Sequence, residues 1–576
     1  MSTVFRRADR RRFVAGLTLA GLTAGLRPAI AAGQTVVPTA GRIDLTLSEI
    51  PVNLTGRPRR ATVVNGSLPG PILRLREGDE ATIAVTNRLA ETSSIHWHGL
   101  RLPADQDGVP GLSFRGIAPG ETFTYRFPVR QAGTYWYHSH SGMQEQTGLI
   151  GALILEPRGG EHVQADREHV ILLSDWTDAD PMSIVANLKQ QSDYYDYGRR
   201  TFGDLVRDAR DHGVKPALSE AALWARMRMS STDIQDVSGA AYSYLINGAS
   251  PTANWTGLFR PGERVRLRVI NGSAMTTFDI RIPGLTLTVI AADGTDVEPV
   301  DVEEFRIGVA ETYDLIVQPK EDRAYGLFAQ AEDRSGYARA TLAPRPGLVA
   351  AVPPMDPRPV RTMTDMGMGG MDMGGMDMSD PAMAGMKMDA APSGPRPTGG
   401  PTGGPTGVPT GVPTGVNVDN VAAAPRSRLD EAGDGLDGDD RRALTYADLK
   451  AASPLPDLIP SRTIEFHLTG NMERWTWGFD GRKFSQAGPV RIGLGETVRL
   501  VLINDTMMEH PIHLHGFLFQ LENGQDGRRP LKHTLNVKPS ERTSLVFVAD
   551  TPGHWAFHCH LMYHMETGMF RTVVVA

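Results

Sequence analysis

The run His558-Cys559-His560-Leu561-Met562-Tyr563-His564-Met565-Glu566-Thr567-Gly568-Met569 holds the only cysteine of the chain. That cysteine lies between two histidines, with a third histidine five residues on and a methionine ten residues on. Two imidazoles, a thiolate and a distant thioether are the ligand types of a blue-copper electron-transfer site. If the run enters as a strand, successive side chains point to opposite faces. Cys559 then faces one way and His558 and His560 the other, so one short segment can hold metal on both sides with a covalent path between.

The same layout recurs without the thiolate. Setting His138 against His558 brings His140 opposite His560, Ser139 opposite Cys559, Gln144 opposite His564, Thr147-Gly148 opposite Thr567-Gly568 and Leu149 opposite Met569. A second pair aligns, Ile95-His96-Trp97-His98-Gly99 with Ile512-His513-Leu514-His515-Gly516, which places Ser93 opposite His510. The two halves share eight histidines in four His-x-His pairs. Only the C-terminal half adds His510, Cys559, His564 and Met569. The difference falls on one ligand set as a group.

These residues need a frame. At 576 residues the chain is long enough for roughly three to four domains. Segments 78–87, 262–271 and 495–504 each open on Gly-acid, alternate apolar and polar residues, and close on Asn. Alternation marks a half-buried strand, and many short strands between Gly/Pro turns indicate β-sandwiches. The reading is an all-β chain of three Greek-key sandwiches, at 34–160, 161–345 and 446–576. The middle one carries no His-x-His pair and reads as a spacer without metal. A helical insertion interrupts it, with a helix over Leu218–Met227 capped by Ser219 and with Met227 and Met229 as packing residues. Residues 350–440, within the linker 346–445, read as unable to form a packed core. They include a Pro-Thr-Gly repeat and ten methionines between Met363 and Met388, spaced by Gly and Asp. Soft thioethers at that density favour Cu(I).

Residues 1–31 read as an export signal: Arg10-Arg11-Arg12-Phe13-Val14 of twin-arginine type, an apolar run too short to span a bilayer, and Ala29-Ile30-Ala31 as cleavage site. The segment carries six Arg and one Asp, so its removal moves the formal charge from −7 to −12. An acidic protein is a poor partner for nucleic acid or anionic lipid. One cysteine allows no intrachain disulfide, and a free thiol in an oxidising compartment is a liability unless metal occupies it. His162, His169, His212, His467, His533 and His554 have no ligand spacing and read as surface or packing residues.

The motifs together resemble the multicopper oxidase family across all three cupredoxin-like domains. They are His96-Trp97-His98-Gly99, His138-Ser139-His140, His510 through Gly516, and His558 through Met569. The signal, Ser174-Asp175-Trp176, His564-Met565-Glu566 and the methionine tract resemble the copper-resistance protein A group of bacterial periplasmic oxidases. The resemblance implies four copper ions. His510, Cys559 and His564 would hold the type 1 copper with Met569 as weak axial ligand. His96 and His513 would hold the type 2 copper. His98, His138 and His560 would hold one type 3 copper, and His140, His515 and His558 the other. Cys559 would pass electrons one at a time toward a three-copper chamber, where O2 takes four and becomes water. Asp107, nine residues past His98, matches the family's acidic position beside that chamber, where it would orient the type 2 water or relay protons. Some relatives carry a carboxylate directly after the last type 1 histidine; here Met565 stands there, followed by Glu566. The expected activity is oxidation of Cu(I) in the periplasm, by a monomer, with periplasmic copper-handling proteins as candidate partners. The alternatives are a laccase-like oxidase of phenols and a protein that sequesters copper. A structural zinc site does not need eight paired histidines, and a two-domain nitrite reductase does not match three repeats.

Overall fold

A computed structural model of the chain describes residues 36–37, 41–227, 229–363, 365–366, 415–436 and 440–576. The signal segment, most of the methionine tract and the Pro-Thr-Gly repeat up to residue 414 lie outside the described residues. The strands form six sheets, two to each sandwich. In the first, Arg59–Val64, Ile43–Val52, Glu80–Asn87 and Thr122–Pro128 face a sheet of Val36–Val37, Gly70–Arg76, Ile150–Glu156, Gly133–His138 and His96–His98. The other two each pair a six-stranded with a five-stranded sheet.

The three Gly-acid segments become the strands Glu80–Asn87, Val265–Asn271 and Thr497–Asn504. Each pairs in parallel with the first long strand of its sandwich, bringing Asn87 opposite Leu47, Asn271 opposite Leu173 and Asn504 opposite Leu468. The terminal Asn has a reason. Each is fully buried, and its amide donates to two carbonyls across the following loop: Glu91 and Ile117, Thr276 and Ile307, Met508 and Val537. A buried amide satisfied in this way locks the loop to the strand.

Half-burial of all three strands does not hold. Val265–Asn271 is buried on both faces, Arg266 and Arg268 included. Both arginines pair with Asp314 and Glu161, and Arg268 also donates to Thr134 Oγ1 on the strand that ends at His138. The polar alternate positions thus face the first domain rather than water.

The insertion holds three helices, α1 (Pro181–Gln190), α2 (Phe202–Asp211) and α3 (Val214–Met227). The third begins a turn before the expected start, so Ser219 is interior and not a cap. Its first turn contains Pro216, which is tolerated there because early helix N–H groups lack intrahelical partners. Met229 packs against the core, as expected, while the side chain of Met227 lies outside the described residues.

The linker reading is corrected at both ends. Arg361 and Met366 are fully buried, and the Arg361 N–H donates to the Ser231 carbonyl. Residues 415–436 strap the third domain: Asn420 and the Ala422 N–H bond Asp505, and Arg428 donates to Pro539. Leu429 and Leu436 are buried beneath them. Composition averaged over a hundred residues hid these few anchors, which need a preformed surface rather than a core of their own.

Candidate metal centres

The first candidate centre lies inside the third domain. Strand Gly553–Cys559 runs antiparallel to His510–Leu514, with Cys559 opposite Ile512 and His558 opposite His513. Helix α4 (Met562–Thr567) then turns His564 back toward Cys559. Cys559 Sγ lies 3.5 Å from His510 Nδ1 and 3.9 Å from His564 Nδ1, and the two imidazole nitrogens are 3.2 Å apart. The far nitrogens are held: His510 Nε2 is 2.7 Å from Thr506 Oγ1, and His564 Nε2 is 2.8 Å from Asp236 Oδ2. Trp477 stacks on His564 at 3.9 Å. Met569 is fully buried, and its carbonyl accepts from the Cys559 N–H at 3.1 Å. Gly568 closes α4 at φ +134; a Cβ there would meet Lys483 Cβ and the Trp477 carbonyl, each at 2.8 Å. Burial pushes the Cys559 thiol up, so thiolate forms there only when a cation takes the proton's place.

The second candidate centre lies where the first and third domains meet, and it gathers all eight paired histidines. In the first domain His96–His98 pairs with Gly133–His138, with His96 opposite His138, the same register as His513 opposite His558 in the third. Across the interface His98 stacks on His513 at 3.8 Å between ring centroids, and His96 lies 4.0 Å from His515. His558 Nε2 is 3.0 Å from His515 Nε2 and 3.4 Å from His140 Nε2. His560 lies 4.9 Å from His98 and 5.0 Å from His138, ring to ring.

Three models described as multicopper oxidase match residues 46–160, 218–346 and 457–576, one to each sandwich. The chain is 52% identical to copper resistance protein A of Escherichia coli and 51% identical to copper resistance protein A of Pseudomonas syringae pv. tomato, covering 99% of each chain in both cases. The chain belongs to the multicopper oxidase family. Its fold is that of three cupredoxin-like Greek-key sandwiches. The crystal structure of Fet3p, a multicopper oxidase that functions in iron import, shares the fold at a TM-score of 0.64 and 19% identity, covering 93% of this chain and 90% of that one.

As a multicopper oxidase the chain uses copper, and the imidazoles of the chamber suit it. Most direct one nitrogen outward to a protein acceptor. His96 Nδ1 bonds the Asp107 carbonyl at 2.7 Å, His513 Nδ1 the His533 carbonyl at 2.7 Å, His558 Nδ1 the Cys559 carbonyl at 2.9 Å and His515 Nδ1 the Asp107 carboxylate at 2.9 Å. Among the described residues that leaves His96 Nε2, His138 Nε2 and His513 Nε2 buried with no hydrogen-bond partner, and His560 with neither nitrogen partnered. Orphaned buried acceptors cost about 1–3 kcal/mol each unless something else takes the lone pair. Metal-binding histidines show this arrangement. His98 departs from it: its Nε2 is 3.2 Å from Thr534 Oγ1 and its Nδ1 is the unpartnered atom. Burial, reinforced by neighbouring imidazoles, drives His98, His140, His513, His515 and His560 well below the usual histidine range, and His558 to about 3. These rings are neutral bases rather than cations, the form that can bind a metal.

Asp107 is fully buried. Its Oδ2 bonds His515 and its Oδ1 lies 3.3 Å from His96 Nδ1. The middle oxidase domain is more than a spacer. It supplies Asp236 to His564, and Asp293, which accepts from the backbone N–H of His533 and Thr534 behind His513. His533 itself is buried, 4.8 Å ring to ring from His98, and its ring lies 2.4 Å from where a Cβ on Gly99 would be. The glycine of His-Trp-His-Gly makes room for it. Asp236, Asp293, Glu145 and His533 had no spacing to betray them. Their only sequence signal is an acid or histidine in an otherwise apolar neighbourhood.

The cysteine centre has a hydrogen-bonded twin in the first domain. Ser93 Oγ and Ser139 Oγ both donate to Gln144 Oε1, at 2.6 and 2.9 Å. The backbone repeats: Ser139 N–H to the Leu149 carbonyl at 3.1 Å, and Leu149 N–H to the Gln144 carbonyl at 2.9 Å, match Cys559 to Met569 at 3.1 Å and Met569 to His564 at 2.9 Å. Side-chain hydrogen bonds join in the first domain the positions that Cys559, His510 and His564 occupy in the third.

Proposed function

We propose that this oxidase takes electrons singly from Cu(I) at the His510–Cys559–His564 centre and passes them to the eight-histidine chamber, where O2 is reduced to water, and that it serves copper resistance in the periplasm after twin-arginine export. The observation that carries the reading is the placement of Cys559. Its sulfur faces His510 and His564 while its chain neighbours His558 and His560 line the chamber. Bound copper would supply the redox chemistry: one type 1, one type 2 and two type 3 ions would together hold the four electrons that take O2 to water without release of partly reduced oxygen.

The residues of the chain do the rest. His510, Cys559 and His564, with Met569 behind them, would hold the type 1 ion; His96 and His513 the type 2 ion; His98, His138 and His560, and His140, His515 and His558, the type 3 pair. From Cys559 Sγ a path runs through its own carbonyl and the 2.9 Å hydrogen bond to His558 Nδ1, a shorter route than the backbone alone. Asp236, bonded to His564 Nε2 and to Trp475 Nε1, keeps an anionic acceptor behind the electron entry point. Asp107 holds the Nδ1 proton of His515 at Oδ2 and is the buried carboxylate placed to pass protons to the chamber. Of the tract methionines, Met363 packs against the core and Met366 is fully buried, so both serve packing. Collection of Cu(I) then falls to those from Met368 onward.

The test is oxygen uptake with Cu(I) as sole reductant, together with copper counting and a parallel assay on phenols. Four coppers per chain and turnover on Cu(I) exceeding that on phenols are expected; the reverse preference makes the protein laccase-like. Deleting residues 368–388 should lower turnover at scarce Cu(I) far more than turnover of a small organic donor. Equal losses remove the tract from the mechanism. Copper tolerance that survives Cys559→Ser would instead indicate sequestration.

A further inference from the structure

We propose that Glu145 is the carboxylate that orients His138 and His560, two imidazoles from opposite halves of the chain. The inference rests on the chamber reading and assigns the hydrogen-bond partner of one copper position within it. Glu145 is buried, its Oε2 lies 2.7 Å from His138 Nδ1, and its Oε1 lies 4.0 Å from His560 Nδ1. Among the described residues that Oε1 has no hydrogen-bond partner, and neither nitrogen of His560 has one. His138 Nδ1 also lies 3.0 Å from the carbonyl of its own neighbour Ser139.

Asp107 offers the comparison. It too spans the domain interface with two oxygens, one on His515 and one near His96. Asp107 thus bonds His515 and lies near His96, as Glu145 bonds His138 and lies near His560. The duplication explains why the first domain supplies the second acid. Counting from the His-x-His pair, Glu145 occupies the position that Met565 occupies in the third domain, where Met565 packs against Val109, Ala556 and Phe570. The third domain has no acceptor to offer from that position. A carboxylate behind a metal-binding imidazole fixes its tautomer and raises its basicity, and losing one typically costs about 10–100-fold in metal affinity.

The experiment uses the full-length, copper-loaded protein and three forms: wild type, Glu145→Met and Glu145→Gln. Methionine conserves volume and is the residue at the twin position. Glutamine keeps an oxygen that can accept the His138 Nδ1 proton. Copper per chain is counted after dialysis against graded chelator, and the signature of the coupled copper pair is followed by optical and paramagnetic resonance spectroscopy. The blue thiolate band serves as the internal reference for folding. Glu145→Met should release chamber copper about 10–100-fold more readily with the blue band kept, and should lose the coupled-pair signature. Glu145→Gln should restore most of both. Should Glu145→Met lose the blue band, Glu145→Asp, which withdraws the acceptor by one methylene, carries the same expectation. Chamber copper held at wild-type strength without the acceptor, or Glu145→Gln as weak as Glu145→Met, overturns the proposal. A wild-type chain with no chamber copper overturns the four-copper reading instead, so the two failures are distinct.

Discussion

Arg306 joins the middle domain to the strand that presents His510, and its removal has a calculable consequence. The buried guanidinium bonds both oxygens of Asp279 at 2.8 and 3.1 Å, Glu332 at 3.0 Å, Glu509 at 3.0 Å and the Asp434 carbonyl at 2.7 Å. Glu509 directly precedes His510. Replacing Arg306 with Leu strands carboxylates that have no water, and breaking a buried pair from one side costs about 3–5 kcal/mol. For a unit of 150–250 residues, where 1 kcal/mol shifts melting by about 2–4 °C, the loss is roughly 6–20 °C. The sign with pH follows from the acids. Burial alone would push the Asp279 and Glu509 carboxyls up, but the Arg306 guanidinium, with Arg334 beside Asp279 and Arg361 beside Glu509, holds both below the usual range. Depressed carboxylates stabilise the fold above their unfolded values, about 4, and that contribution disappears as pH falls through the folded values. The gap between wild type and variant is therefore widest near neutral pH and closes under acid. The assay is thermal melting of the metal-loaded protein followed by loss of the blue band. Arg74→Ala, which breaks half-exposed pairs with Glu156 and Glu168, is the control at about 1 kcal/mol or less. Arg306→Leu melting within about 2 °C of the control would refute the reasoning.

Cys559→Ser should abolish both the blue band and oxygen consumption, because no other thiol exists to replace it; either one persisting contradicts the placement of the electron entry point. Ser93→His, Ser139→Cys, Gln144→His and Leu149→Met together should create a second thiolate-to-copper band of comparable intensity, since the first-domain backbone already repeats the hydrogen bonds of the third; an unchanged spectrum with normal folding argues against that equivalence. His467 Nδ1 lies 2.6 Å from Asp505 Oδ2. Burial opposes its charge, but Asp505 outweighs it and raises the imidazole above its ordinary value. The pair stabilises below about pH 6.5 and weakens as pH rises through the folded value, so His467→Gln should lower melting more at pH 6 than at pH 9; a difference independent of pH removes the ion pair from the account.

Much of the site was legible because ligand chemistry restricts residue type and the duplication restricts position. Four His-x-His pairs, one cysteine and the missing members Ser93, Ser139, Gln144 and Leu149 told which residues form sets. The strands at 78–87, 262–271 and 495–504 were legible from local alternation, and their closing Asn became intelligible only with the loop carbonyls in view. The start of α3 was misread because Ser219 fits a cap by type, and only the continuous helix shows it to be interior.

The sequence alone determined the kinds of candidate ligand and which of them are twins, since both are properties of residue identity and order along the chain. Tertiary structure decided everything that depends on approach through space. It brought His98 against His513 and Glu145 between His138 and His560, set Asp236 and Asp293 of the middle domain behind candidate ligands of the third, and turned a strand expected to face water inward onto the first domain. Hydrogen bonds and ion pairs between residues hundreds of positions apart leave no period or spacing in the chain, because either partner is an ordinary polar residue until folding removes water from around it.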